Sequence, residues 1–205
     1  LPIAGRAPSS VSALILVVAV VLAGAVTGCQ DGQGSLRGQR LALASCTEPG
    51  VPRVFEPYAE DLAFMGSAVD SDVAILRISP SFRIPDEADQ LVLAVEGYHA
   101  LQDEIAAQGV AVVPIGGDRL RVGIALNLTC PRATEALIGV NGEARFTAFS
   151  VRRWDRVTGT LTFDVADQRT GELVGTGFVA EVDFPVDTSL PNNYFNDPED
   201  QNPIL

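Results

Sequence analysis

From Leu41 onward, apolar and polar residues alternate along most of this chain, and a period of two predicts strands with one face on a core and the other in water. The clearest is Arg119–Thr129. There Leu120, Val122, Ile124, Leu126 and Leu128 share one face, as an antiparallel sheet with one solvated side requires. Asp72–Ser79, Gln90–Glu96 and Ala111–Ile115 read as further strands. Ala136–Val140 and Ala144–Val151 flank Asn141-Gly142, a pair that tolerates two successive positive φ values and is therefore the strongest short hairpin signal. A second hairpin is expected around Asp167–Gly171. It would set Leu161, Phe163 and Val165 of Thr160–Ala166, and Phe178, Ala180, Val182 and Phe184 of Glu172–Phe184, toward the core, with a bulge or close backbone approach at Gly175 and Gly177. Helical spacing occurs in Tyr98–Gln108, where Leu101 and Ile105 share a face and Gly109 stands at the C-terminal cap.

This pattern predicts a mainly β fold over residues 41–187: an antiparallel β-sandwich, immunoglobulin-like or jelly-roll-like, of Greek-key type with one short helix. Three stretches fall outside it. Residues 188–205 are polar, Pro-rich and acidic and read as a tail. Gln30–Gln39 (QDGQGSLRGQ) is rich in Gly and Gln, so residues 29–40 read as a flexible tether. Ser12–Cys29 is uncharged and strongly apolar.

That last stretch ends in Val26-Thr27-Gly28-Cys29, which resembles the lipobox of bacterial lipoproteins. The resemblance implies a signal peptide, residues 1–28, cut before Cys29, and a diacylglycerol thioether with an N-acyl chain on that residue. It implies a lipid-anchored protein of the bacterial cell envelope, facing the periplasm or the cell surface. An uncleaved spanning helix is the competing reading, but needs about 20 apolar residues, and this core breaks up at Gly24 and Gly28. Simple secretion is the third. Gln30, rather than Asp, follows the cysteine; under the enterobacterial sorting rule this points to the outer membrane. With Cys29 taken by lipid, Cys46 and Cys130 remain as an expected disulfide in an oxidising compartment, a cross-link that constrains the unfolded chain by roughly 4–5 kcal/mol in the entropy model. Two unrelated thiols are the alternative.

Charge narrows the function classes. Asp plus Glu number 26 against 14 basic residues, a net charge of −12, which argues against a nucleic-acid partner because phosphates demand clustered cations. Every basic residue is Arg, so Schiff-base and P-loop lysines are excluded.

No catalytic set, metal site or cofactor motif stands out. His99, beside Asp103 and Glu104, is the single histidine, and no G-x-S-x-G nucleophile elbow accompanies it. The carboxylate pairs Asp70/Asp72, Asp86/Glu87/Asp89, Asp103/Glu104 and Glu181/Asp183 are what a carboxylate-dependent periplasmic hydrolase would draw on, given a fixed separation across a cleft. Oxygen ligands for calcium occur in Asp70-Ser71-Asp72 and in the tail (Asn192, Asn193, Asp197, Glu199, Asp200), without an EF-hand loop. Arg152, Arg153 and Arg156 surround the only tryptophan, Trp154. Such a cluster suits stacking and hydrogen bonding to a glycan or an envelope protein; its plainer reading is a Trp covered by Arg stems. The function expected from sequence is a non-enzymatic structural or binding role at the membrane, with a hydrolase or a small carbohydrate-binding module as alternatives.

Overall fold

The computed structural model describes residues 32–47, 50–80, 89–126 and 137–186. The chain divides into two units, Leu1–Gln30 and Asp31–Leu205, and every described residue belongs to the second. Cys29, Cys130, Asp86, Glu87 and the acidic tail lie outside the described residues.

The expected class is found: a mainly antiparallel β fold with one helix of appreciable length. Ten strands run in the order β1 (Gln33–Leu41), β2 (Phe55–Leu62), β3 (Phe64–Asp70), β4 (Val73–Ser79), β5 (Gln90–Glu96), β6 (Ala111–Ile115), β7 (Leu120–Ala125), β8 (Leu137–Ala148), β9 (Arg156–Asp167) and β10 (Leu173–Pro185). Helix α1 (Leu43–Thr47) follows β1, and α2 (Tyr98–Gln108) joins β5 to β6. The sequence pattern gave no sign of α1, which is only five residues long.

All ladders are antiparallel, in the spatial order β2-β1-β10-β9-β8-β7-β5-β4-β3, with β6 paired to β8. The outermost strands of that order, β2 and β3, are consecutive in the chain with only Ala63 between them. Ala63 N–H donates to Ser79 O at 3.0 Å while Phe64 is also registered with Ser79, a bulge at which the chain passes from pairing β1 to pairing β4. The sheet thus curls until its two edges are joined by the chain itself. Consecutive strands pair along β1–β2, β3–β4–β5 and β7–β8–β9–β10, whereas the β1–β10, β5–β7 and β6–β8 ladders join strands that are not consecutive in the chain; the whole is a curled antiparallel sheet, consistent with the sandwich-like fold expected.

The expected tether is corrected by β1. Gln33–Leu41 is a strand paired on one side with β10 and on the other with β2. Its glycines serve packing: a Cβ on Gly34 would lie 2.8 Å from the Phe184 ring, and one on Gly38 would lie 2.9 Å from the Phe178 ring. With Leu36 between them, these positions form the inward face of a strand whose missing side chains are supplied by two phenylalanines across the ladder.

Asn141-Gly142 makes no hairpin. Residues 137–148 are one strand, and the pair forms a bulge where Val140 opposes Asp164 but Glu143 opposes Thr162. Asn141 takes φ 54°, the same left-handed conformation a hairpin would have used. On its other side β8 pairs with β7 before the bulge and with β6 after it. The turn at Asp167–Gly171 is as expected: Asp167 Oδ1 accepts from Arg169 N–H at 2.8 Å and Gly171 has φ 71°. So is the irregularity near Gly175 and Gly177.

One continuous core fills the interior, with Phe146, Phe178, Phe184, Leu36, Leu76 and Leu93 fully buried. Each such side chain contributes about 2–3 kcal/mol on leaving water. Phe178 stacks on Phe163 at 5.7 Å and meets Tyr58 at 5.6 Å. Strands β4 and β5 break the period of two because they bury both faces: Ile75, Val92 and Ala94 form a second, smaller apolar cluster outside the main core. Cys46 on α1 packs against the main core and is held in a disulfide; its partner lies outside the described residues.

Candidate functional site

The β8–β9 connection brings the sequence-predicted arginines and tryptophan to one rim of the fold. Asp155 N–H donates to Arg152 O at 3.1 Å, closing a tight turn, and Val186, the residue after β10, clamps it from the side: Trp154 N–H donates to Val186 O (3.0 Å) and Val186 N–H donates to Asp155 O (2.7 Å). Ser150 Oγ donates to Asp155 Oδ2 at 2.8 Å and accepts from Arg152 N–H at 3.1 Å. These bonds hold Trp154 at φ 73°, a conformation a bulky residue adopts only when its surroundings over-determine it. Trp154 is 66 % exposed, the most exposed large apolar residue described.

The four residues divide by role. Arg153 lies over the Trp154 ring, 4.7 Å from its centroid, a cation–π contact. Arg152 is exposed and has no ion pair among the described residues. Arg156 is half-buried and engaged across the β9–β10 ladder: Nε donates to Asp183 Oδ1 at 2.9 Å, Nη2 to Asp183 O at 3.2 Å, and Thr158 Oγ1 reaches the same carboxylate at 2.9 Å. It is a strut between β9 and β10. Beside the turn, an open groove of about 510 Å³ runs between α2 and the end of β8, with Ile105, Ala106 and Phe149 as its apolar part and Gln102, Ser150 and Asp155 as polar edges.

The other candidates do not converge. His99 is exposed on α2, its ring 4.1 Å from that of Tyr98. Glu104 pairs with Arg119 at 3.3 Å, and Asp183 is taken by Arg156. Asp70 and Asp72 flank Ser71 in the β3–β4 turn, where Ser71 Oγ donates to Asp70 at 3.3 Å. Among the described residues no group of three His, Cys, Asp or Glu side chains is placed to hold a metal. Among them too, no helix is long and apolar enough to cross a membrane.

Asp89, one of the carboxylates singled out in the sequence, lies just before β5 and joins a polar cluster on β1 and β2 that sequence reasoning missed. Tyr58 O–H donates to buried Asp89 at 3.1 Å, and Arg40 pairs with Glu56 at 2.7 Å. Burial, then Asp89, push the Tyr58 hydroxyl well above its ordinary range. Burial, then Asp89 and Asp61, raise the Glu60 carboxyl. A raised carboxyl favours the protonated form in the fold, so its contribution is best at low pH and is lost as pH rises through the folded value. Glu60→Gln is therefore expected to raise the melting temperature at pH 7 and to leave it unchanged near pH 4, in parallel thermal melts; an equal shift at both pH values would contradict the assignment.

No family model, curated protein or solved structure matches this chain.

Proposed function

We propose that the protein is a lipid-anchored envelope protein with a non-enzymatic binding role, acylated on Cys29, facing the periplasm or cell surface, and presenting the Arg152–Trp154 turn as its contact surface. The observation that carries the reading is the Val26-Thr27-Gly28-Cys29 sequence directly after an apolar core. Support for a binding rather than catalytic role comes from the dispersal of the His99 and carboxylate candidates and from the exposure of Trp154 on a rigidly held turn. A small carbohydrate-binding module is the second reading, favoured by the same ring, since sugars stack on exposed aromatics; Tyr58 and Tyr98 are buried and add nothing to such a face. The proposal includes Cys130 as the partner of Cys46.

Intact-mass analysis and non-reducing peptide mapping of the membrane fraction test both halves. The expected result is a mature chain starting at Cys29 with added acyl mass, and Cys46 and Cys130 in one linked peptide. Cys29→Ala is expected to leave the protein soluble or unprocessed. Mature Cys29→Ala protein that stays in the membrane at unchanged size would overturn the anchor, and free alkylatable thiols at 46 and 130 would overturn the pairing.

A further inference from the structure

Once β1 is recognised as a strand, residues 30–32 are all that separates the lipidated cysteine of the proposed function from the folded sheet. Four residue steps from Cys29 to Gln33 span at most about 14 Å. The anchor is therefore a short one, and the fold decides which surface it holds against the membrane.

Register gives that surface. Gln33 pairs with Asp183, and Asp183 pairs with Thr158, so β1 and β9 flank β10 about 10 Å apart at this level. Gly32 continues along β10, close enough that a Cβ on it would strike Phe184. Two residues beyond Phe184, Val186 makes the two backbone bonds that clamp the Trp154 turn. The start of β1 and the Arg152–Trp154 turn thus lie at the same end of the fold.

We infer that this turn docks on the phospholipid interface: Trp154 sits at headgroup level while Arg152 and Arg153 meet lipid phosphates. The inference rests on the acylation of Cys29 proposed above. The chemistry fits each residue. Tryptophan favours the boundary where one edge of its ring is wet and the other apolar, and arginine stems lie along apolar surface while the guanidinium reaches phosphate. The turn carries adjacent exposed arginines, of which Arg152 has no ion pair among the described residues, on a chain of net charge −12. Contact is therefore local to the turn, since the body as a whole is repelled by anionic lipid. The backbone of Trp154 is held at positive φ by its bond to Val186, and the residue is exposed before any membrane is met.

Trp154 is the only tryptophan, so its fluorescence reports on this position alone. The acylated mature protein would be reconstituted into vesicles of phosphatidylethanolamine and phosphatidylglycerol, and flotation, emission maximum and iodide quenching measured together. Docking predicts a blue-shifted emission, quenching by lipids brominated near the headgroup, and iodide quenching reduced about threefold relative to the protein without lipid. Arg152→Gln with Arg153→Gln keeps the anchor and the reporter; it should still float while regaining most of its iodide access. Full iodide access in protein that floats overturns the docking and leaves the anchor standing. Failure to float, with no acyl mass on Cys29, overturns the anchor and the inference with it. An equal blue shift in Cys29→Ala protein without vesicles would show that the chain itself covers Trp154, and would overturn the inference too.

Discussion

Phe178→Ala is expected to destabilise the fold by about 3–5 kcal/mol, the usual cost of emptying a fully buried aromatic site. The side chain has no exposure, stacks on Phe163 and meets Tyr58, and covers the bare backbone at Gly38 and Gly175. Truncation therefore leaves a cavity bounded partly by main chain of β1 and β10, which cannot collapse without breaking ladder hydrogen bonds. Urea unfolding should show a lower midpoint with an unchanged slope. A loss below about 1 kcal/mol would mean that the neighbouring rings repack and that the glycines of β1 are not matched to this phenylalanine.

Gly142→Ala is the second large effect, although it adds only a methyl group. A Cβ at this position would lie 1.9 Å from Thr162 O and 2.8 Å from Phe163 Cα. Both are backbone atoms of the neighbouring strand, so no side-chain rotation relieves the clash and the β8–β9 ladder must separate. The expected cost is about 3 kcal/mol, at the upper end for overpacking. Hydrogen exchange should locate it, with protection lost at residues 140–146 and 159–164 before the rest of the sheet. Wild-type stability in the alanine variant would contradict the bulge geometry.

The inward face of Phe178 was plain from the alternation of its strand, whereas Gly142 falls where composition and periodicity disagree, and that is where the sequence was hardest to read. Tyr98–Gln108 has helical spacing and a capping glycine in agreement, and forms the helix expected. The Asp167–Gly171 turn was legible because its Asp and Gly act within five residues. Gln33–Leu41 was not, because flexibility was inferred from its glycines when their every-second placement was the relevant fact; the phenylalanines that fill the gaps are about 140 residues away. Asn141-Gly142 announced a positive φ correctly, but a bulge and a hairpin make the same local demand. Only the pairing of β8 with β6, β7 and β9 decides between them.

The candidate site divides in the same way. Arg152, Arg153 and Trp154 are contiguous, so their grouping was visible before the fold was known. The cross-strand role of Arg156 depended on Asp183 in another strand, and the cluster of Arg40, Glu56, Tyr58, Glu60 and Asp89 depended on a register that no local pattern encodes. Glu56, Tyr58, Glu60 and Leu62 do alternate onto one face, and acids sharing a face with a buried Leu were the available hint.

The placement of β1 also has a mechanical consequence. The strand nearest the proposed anchor lies between two antiparallel partners, β10 and β2, instead of at a free edge. Tension applied along the axis of β1 from its N-terminal end would load the hydrogen bonds of both ladders together in shear, so they could not be peeled away one at a time. Under the proposed anchoring, membrane fluctuations or drag on the domain would be borne by the whole strand and not by a single edge pair.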